Sequence, residues 1–297
     1  MCQLDVQEMN EQNPVASRDG VTSSLRIGQI SYLNVAPFFH FLPDTGFCGE
    51  IVSGVPAELN QMLADGRIDA CPSSSFEYGL HADDYLLIPG HSISSIGPVR
   101  SVLLFCPAPL ETLQNQEFAL TGESATSVNL LKILLQEFMG FTQVVCRIPQ
   151  EPVETLLERG TPSLLIGDRA LAAAQKYSGM AQIIDLGDFW YRYTGLPFVF
   201  ALWIVRRQAV EGDRAALLDF ARQLQQARSL SFERLDEVAS SRKGQGELDS
   251  AEMIKYWREL SYDLSGEHLQ GLLRYFSLCC KYGLLPRVPE ICFIPQG

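Results

Sequence analysis

The sequence predicts an α/β protein built from two lobes. Short apolar strand signals alternate with helix signals in two separate blocks of the chain, and the last third has a helical pattern. A length of 297 residues exceeds the size at which single hydrophobic cores tend to divide. We therefore expect two α/β units, with the C-terminal helices completing one of them.

The composition is that of an ordinary globular protein, with 46% hydrophobic and 20% charged residues. A formal net charge of -12 repels polyanions, and no block of Lys or Arg offers a track for phosphates, which argues against nucleic-acid binding. The same charge repels a small anionic ligand, so such a ligand needs local donors inside a cleft. No apolar run approaches the ~18 residues of a membrane span, and we expect no membrane association.

The N-terminal segment and the cysteines indicate the compartment. Residues 1–24 lack the basic start and apolar run of a secretory signal, so we interpret them as a disordered extension of a cytoplasmic protein. Eight cysteines are scattered without a Cys-x-x-Cys unit or a histidine at zinc-binding spacing, which predicts free thiols and no metal site. Spacing alone does not decide against disulfides, although a chain of this size does not need them for stability.

The first block of strand and helix signals occupies residues 25–106. In order, it contains a strand (25–31), a helix (34–41), a strand (50–55), a helix starting at Pro56, a short strand (68–71) and a helix opened by three serines (73–75). Strands separated by helices predict a parallel sheet. After turn-rich residues 89–98, residues 102–105 predict a buried strand, and Pro107 with Pro109 predicts the crossover to the second lobe.

The second block, residues 107–203, repeats this order of signals. It contains a strand (118–121), a helix from Ser124, a strand (164–168), an alanine-rich helix (170–175) and a long apolar strand (198–205) suited to the return crossover. From Arg214 the pattern is helical to about Tyr282. These helices are expected to complete the first lobe, which then comprises residues 25–106 and 204–297.

This discontinuous layout resembles the type 2 periplasmic-binding-protein fold, in which a ligand lies between the lobes at the carboxyl ends of strands. Three polar clusters fall where strands end, and each opens a predicted helix. They contain Ser31; Ser74 and Ser75; and Ser124, Thr126 and Ser127. Hydroxyls and free N–H groups at helix N-termini attract anions without a buried cation. Plain N-capping explains any one cluster, but three in equivalent places favour a carboxylate site.

Other candidate residues allow two interpretations each. Asp168 follows a buried strand, where it could bind a ligand, although capping of the next helix is slightly favoured. The polar-apolar segment 92–101, which includes Gly97, could face the cleft. Arg100 could pair with a substrate carboxylate, but a solvated surface arginine is more frequent. Aromatic residues 189–193 could contact a cyclic ligand, but core packing is more frequent.

Several sequence motifs with known mechanisms do not occur. The chain has no Gly-x-Gly-x-x-Gly, no Gly-Lys-Ser/Thr phosphate loop, no His-Glu-x-x-His and no Gly-x-Ser-x-Gly. Nucleotide-binding, metalloprotease and elbow-type hydrolase functions therefore lose support.

Five motifs in order closely resemble the chorismate dehydratases of menaquinone biosynthesis. They are residues 26–34, 90–101, 120–132, 166–168 and 190–201, and the similarity spans roughly residue 25 to the C-terminus. The resemblance implies dehydration of chorismate to 3-enolpyruvylbenzoate in the futalosine route, without a metal or organic cofactor. It also implies that Asn34 and Ser101 are functional and that the helix start with Ser124, Thr126 and Ser127 holds a carboxylate.

Two alternatives stay open beside this interpretation. A dihydroxynaphthoate synthase of the same pathway shares the scaffold but opens with a Ser-Pro-Cys-Pro-Asn-Asp type motif, whereas residues 31–34 here read Ser-Tyr-Leu-Asn. A non-catalytic solute-binding protein would use the same cleft, and the lack of a secretory signal argues against it. No feature of the sequence predicts an oligomeric state.

Overall fold

The computed structural model describes residues 25–122, 124–243 and 248–295, so the expected disordered extension, residues 1–24, lies outside the described residues. Its strands are β1 (Arg26–Ile30), β2 (Glu50–Gly54), β3 (Ala70–Ser74), β4 (Tyr85–Ser95), β5 (Val102–Cys106), β6 (Glu117–Leu120), β7 (Val145–Arg147), β8 (Ser163–Ile166), β9 (Gln182–Asp185) and β10 (Phe198–Arg206).

Helices alternate with the strands until the C-terminal part, except between β4, β5 and β6. They are α1 (Ala36–Phe39), α2 (Pro56–Ala64), α3 (Ser75–Leu80), α4 (Ala125–Ile133), α5 (Val153–Glu158), α6 (Gly167–Lys176), α7 (Leu186–Thr194), α8 (Arg207–Glu233), α9 (Leu235–Ser241), α10 (Ser250–Glu259) and α11 (Gly266–Lys281). Shorter helical turns lie at Leu33–Val35, Pro43–Thr45, Leu110–Thr112 and Leu134–Phe138. No helix in the described part of the chain is both long and apolar enough to cross a membrane.

The strands form two five-stranded sheets, in the orders β2-β1-β3-β10-β4 and β7-β6-β8-β5-β9. In the first sheet β1, β2 and β3 are parallel, whereas β10 is antiparallel to both β3 and β4. In the second sheet β5 is antiparallel to β8 and β9. The α/β class and two-lobed layout are confirmed, but the sheets are mixed rather than parallel. The reason is that each crossover inserts one strand in the opposite direction.

The crossovers between the sheets differ from the predicted boundaries. Strand β5, assigned to the first lobe by the sequence, hydrogen-bonds in the second sheet, so the chain changes sheet before Pro107. Left-handed backbone at Gly97 (φ 90) and Arg100 (φ 64) redirects the chain just before β5. Strand β10 pairs entirely within the first sheet. We propose lobe boundaries at residues 96–101 and 195–197, in place of 106/107 and 203/204.

Helix α8 packs against the first sheet, the lobe to which the sequence analysis assigns the C-terminal helices. Phe220 of α8 packs edge-on against the fully buried Trp203 of β10, with ring centroids 5.6 Å apart. The backbone of α8 is non-helical at Asp213, whose carboxylate accepts the Ala216 N–H at 2.9 Å. The continuous part of the helix therefore begins where the helical pattern does, at Arg214.

An ion cluster joins three strands of the first sheet at the edge away from the lobe junction. Asp69 accepts hydrogen bonds from the guanidinium groups of Arg26 at 2.9 Å and Arg206 at 3.1 Å. Burial raises the pKa of Asp69, but these bonds lower it by more, so its pKa lies below the ordinary value. Because the cluster aligns β1, β3 and β10 at one edge, their other ends meet where the lobes face each other.

Candidate active site between the lobes

A cavity opens between the lobes where the ends of β1, β3, β5 and β8 meet. Its walls are formed by Ile30, Tyr32, Asn34, Pro56, Ser74, Ile93, Val99, Ser101, Val102, Ser124, Ser127, Ile166, Gly167, Phe200 and Ala201. These lining residues include no Asp, Glu, His, Lys, Arg or Cys. An anion bound here would depend on hydroxyl, amide and backbone N–H donors, as the net charge of the chain led us to expect.

Asn34 lies in the helical turn that follows β1, and its backbone is held more firmly than its side chain. The Asn34 carbonyl oxygen accepts from the Tyr262 hydroxyl at 2.8 Å, and the preceding Leu33 carbonyl accepts from Trp257 Nε1 at 2.8 Å. The side-chain oxygen Oδ1 is buried without a hydrogen-bond partner among the described residues. Because an unpaired buried amide oxygen costs free energy, this group is suited to a ligand in the cavity.

Ser101 ends the crossover segment and is almost completely buried, at 3% exposure. Its Oγ accepts a hydrogen bond from the Tyr256 hydroxyl at 2.8 Å, and its carbonyl oxygen accepts from the Gly167 N–H at 2.8 Å. The nearest acceptor for the hydroxyl hydrogen of Ser101 is the Val99 carbonyl oxygen, 3.4 Å away. Ser101 and Asn34 therefore line one cavity from different loops.

Asp185, which is not among the residues predicted from the sequence, fixes the crossover segment that carries Ser101. Its carboxylate accepts four backbone N–H groups, from Val99 at 3.0 Å, Arg100 at 2.6 Å, Gly187 at 2.9 Å and Asp188 at 3.1 Å. Burial raises the pKa of Asp185, and the four bonds oppose this without cancelling it. Its position before α7 signals an N-cap in the sequence, but contact with residues 99–100 carries no local signal.

Two serines of the predicted polar clusters, Ser74 and Ser124, are helix N-caps that also line the cavity, and Ser127 lines it from the first turn of α4. Ser74 accepts the Glu77 N–H at 3.2 Å at the start of α3, and Ser124 accepts the Ser127 N–H at 3.2 Å at the start of α4. The hydroxyl oxygens of Ser124 and Ser127 lie 3.1 Å apart. Capping and cavity lining are thus combined in the same side chains, rather than being alternatives.

Ser75 and Thr126 are not among the lining residues of the cavity. Their hydroxyl oxygens are 3.4 Å apart, and the Phe76 N–H donates to Thr126 Oγ1 at 2.9 Å. Both side chains are fully buried. They join the N-terminal ends of α3 and α4 across the lobes, which places these residues in a contact between the lobes.

Ser31, Gly97 and Asp168 also lie outside the cavity lining. Ser31 is exposed. Gly97 lies close to the start of α7: a Cβ atom added to Gly187 would be 2.7 Å from the Gly97 carbonyl oxygen. Asp168 Oδ1 accepts the Leu33 N–H at 3.2 Å across the lobes. Burial raises the pKa of Asp168, and this hydrogen bond partly offsets the effect. Asp168 therefore contacts the loop of Asn34 at a point outside the cavity lining.

Arg100 and Trp190 have the more frequent of their two roles, whereas Tyr191 and Tyr193 are exposed. Arg100 is exposed and forms an ion pair with Glu259, with Nη2 and Oε1 2.8 Å apart. Trp190 is buried against Phe198, with ring centroids 5.2 Å apart. Neither Arg100 nor Trp190 belongs to the cavity lining.

Two mixed sheets joined by two crossovers around a cavity define a periplasmic-binding-protein-like fold, and solved structures agree. A protein from Archaeoglobus fulgidus has a TM-score of 0.70 at 18% identity, covering 89% of this chain and 100% of that one. The periplasmic aliphatic sulphonate binding protein of Escherichia coli has a TM-score of 0.65 at 17% identity, covering 91% and 96%. At these identities the likeness shows the fold alone.

Sequence comparison identifies the family. The family model described as menaquinone biosynthesis matches residues 25–281. A chorismate dehydratase from Thermus thermophilus is 38% identical, covering 72% of this chain and 80% of the relative. A 1,4-dihydroxy-6-naphtoate synthase from the same organism is 26% identical, covering 83% and 92%. The chain therefore belongs to the menaquinone biosynthesis family, which confirms the resemblance drawn from its motifs.

Proposed function

We propose that this protein is a chorismate dehydratase, a hydro-lyase that eliminates water from chorismate to give 3-enolpyruvylbenzoate in menaquinone biosynthesis. The observation that carries the proposal is the meeting of Asn34 and Ser101 in one uncharged cavity of a chain from this family. The higher identity to a chorismate dehydratase than to a dihydroxynaphthoate synthase supports the choice between the two activities.

The chemistry of chorismate suits the cavity walls. Its two carboxylates require donors, and neutral hydroxyls at the start of α4, from Ser124 and Ser127, supply them beside Ser74. Its ring requires apolar surface, which Phe200 and Ile166 provide. We propose that the helix start binds one carboxylate and that Ser101 donates a hydrogen bond to the other.

The reaction needs alignment more than a strong acid or base. The ring C–H electrons form the double bond that completes the aromatic ring, the C–O bond breaks, and the hydroxyl leaves as water after taking up the equivalent of the proton removed from the ring. Since the cavity lining has no Asp, Glu, His, Lys or Cys side chain, we propose that the enolpyruvyl carboxylate of the substrate removes the ring proton. The Asn34 amide would hydrogen-bond the departing hydroxyl, and a fixed substrate orientation in the cavity would disfavour competing rearrangements.

A cytoplasmic location is part of the proposal. The seven cysteines in the described part of the chain are all free thiols, which is consistent with a reducing compartment.

Incubation of the purified protein with chorismate tests the proposal directly. We expect new aromatic absorbance and a product lighter than chorismate by one water, with Asn34→Ala as the negative control. A solute-binding protein would bind chorismate without turnover, and a dihydroxynaphthoate synthase would leave it unchanged. Either result would refute the proposed activity.

A further inference from the structure

Helix α10 supports both loops of the cavity from outside its lining. Tyr256 donates to the Ser101 hydroxyl oxygen, and the adjacent Trp257 donates to the Leu33 carbonyl oxygen, next to Asn34. Tyr256 is 3% exposed and Trp257 is fully buried, and neither lines the cavity. Two consecutive residues of one helix thus reach the two loops in which we place the catalytic residues.

The hydrogen bond between Tyr256 and Ser101 has a defined direction. Burial raises the pKa of the Tyr256 hydroxyl, so the phenol stays neutral and keeps its hydrogen. Ser101 Oγ accepts this hydrogen at 2.8 Å. Within the described part of the chain, the hydrogen of Ser101 is donated to Val99 O at 3.4 Å, well beyond the common O–H···O distance of about 2.7–2.8 Å. An acceptor within the cavity can therefore compete for it.

We propose that Tyr256 is a positioning residue, which fixes Ser101 Oγ as an acceptor and so directs the Ser101 hydroxyl hydrogen into the cavity. This inference rests on the proposed function, because it names the residue that orients a catalytic hydroxyl. When a buried phenol donates to Ser101, the serine is prepared as a donor before substrate binds. Without the phenol, Ser101 Oγ is free to move toward Val99 and shorten the 3.4 Å hydrogen bond to its carbonyl oxygen.

Tyr256→Phe tests the proposal, because it removes one hydroxyl and keeps the packed ring. We expect kcat/KM for chorismate to fall about five- to tenfold, in the range of one lost neutral hydrogen bond. In the Ser101→Ala background the same substitution should lower kcat/KM by less than about twofold, since no serine remains to orient. The matched control is Tyr78→Phe: this buried tyrosine donates to the Glu290 carbonyl oxygen at 2.8 Å outside the cavity, and we expect unchanged kcat/KM.

Two kinetic results would overturn the positioning role. One is an unchanged kcat/KM in Tyr256→Phe. The other is an equal fall with and without the Ser101 hydroxyl, because general loosening of α10 acts in both backgrounds.

A readout without substrate separates this inference from the proposed function. If the wild-type protein does not dehydrate chorismate, the proposed function fails, and a crystal structure of Tyr256→Phe decides the positioning role. Displacement of Ser101 Oγ toward Val99, absent from Tyr78→Phe, would support it. An unmoved Ser101 Oγ would overturn it.

Discussion

Asn34 carries a buried amide oxygen without a hydrogen-bond partner among the described residues. This group lowers the stability of the fold, whereas our proposal requires it for activity. We expect Asn34→Ala to melt at the same or a higher temperature, because the unpaired polar group is removed. Turnover should fall by roughly a hundredfold or more, since the amide contacts the reacting hydroxyl in our proposal. Thermal melting and turnover of one preparation measure both effects.

The control for this prediction is Asn60→Ala. The Asn60 amide oxygen is paired, accepting from the Ser73 hydroxyl at 2.5 Å, and it lies outside the cavity lining. Its removal should lower the melting temperature without a comparable loss of turnover. Near-normal turnover in a well-folded Asn34→Ala protein would remove Asn34 from the mechanism.

Ser101→Ala should affect both activity and stability, through different partners. A lost hydrogen bond to a substrate charge lowers kcat/KM by about ten- to a hundredfold. The same change leaves the buried Tyr256 hydroxyl unpaired, at a cost of about 1–3 kcal/mol in the free energy of unfolding. Adding Tyr256→Phe should restore stability but not activity. Unchanged kinetic constants beside lowered stability would refute the binding role of Ser101.

Which residues the sequence reveals depends on whether their contacts are local. Ser74, Ser124 and Ser127 could be predicted at the cavity because strand ends and helix starts have local signatures. Asn34 and Ser101 came from family resemblance alone. Tyr256 and Asp185 could not be predicted, because each acts on a segment far away in the chain.

The strands show the same limit at the level of elements. Most were predicted from apolar runs, but β7 and β9 were not, and the part of β4 from residue 89 was interpreted as turn-rich. The three serines of β4 are buried: Ser92 and Ser94 hydroxyls lie 2.5 Å apart and Ser94 bridges to Ser261 of the C-terminal part, whereas Ser95 Oγ has no hydrogen-bond partner among the described residues. Polar residues that satisfy each other inside a sheet hide the strand pattern. The sheet to which β5 belongs could not be predicted either, because the local sequence of a strand does not specify its pairing partners.

At the start of α7, Asp185 holds the helix and the crossover segment together, and Asp185→Asn tests this link. An amide has one acceptor oxygen for the four N–H donors, and its NH2 group opposes them. We expect a loss of about 1–3 kcal/mol in unfolding free energy and a severalfold lower kcat/KM, because the segment that carries Ser101 loosens. Urea unfolding and steady-state kinetics provide the measurements.

Asp188→Asn is the matched control for this substitution. Asp188 forms an ion pair with Arg192 at 2.5 Å on the surface of the same helix, and such exposed pairs contribute little. Equal effects of the two substitutions would contradict a specific role for the Asp185 carboxylate.

For the whole molecule, the Asp69 cluster should set part of the acid sensitivity. The pKa of Asp69 is lowered in the folded state, so its carboxylate stabilises the fold above its unfolded pKa and loses this effect as pH falls through the folded pKa. Asp168 and Asp185 have raised pKa values and act with the opposite sign, because their protonated forms are favoured by folding. We expect Asp69→Asn to be less stable at neutral pH and less sensitive to acid below about pH 4.

Urea unfolding across an acidic pH series measures this dependence. Wild-type protein and Asp69→Asn should converge in stability as pH decreases, because acid removes from the wild type the charge that the variant already lacks. Parallel curves would contradict the assignment of acid sensitivity to this cluster.

Chorismate should stabilise the two-lobed molecule as a whole. The lobes already share hydrogen bonds, from the Leu33 N–H to Asp168 and from the Phe76 N–H to Thr126, and a ligand between them adds contacts to both. A ligand at about a hundredfold its Kd adds roughly 2.7 kcal/mol to the free energy of unfolding, or about 5–10 °C in Tm for a chain of this size.

Because the cavity lining offers no carboxylate, imidazole or thiol ligand, we expect the Tm shift and the turnover to persist in chelator without added metal. Differential scanning fluorimetry with and without chelator checks the shift, and a matched turnover assay checks activity. Loss of either after chelation, with recovery on adding a divalent ion, would contradict recognition by hydroxyl and amide donors alone.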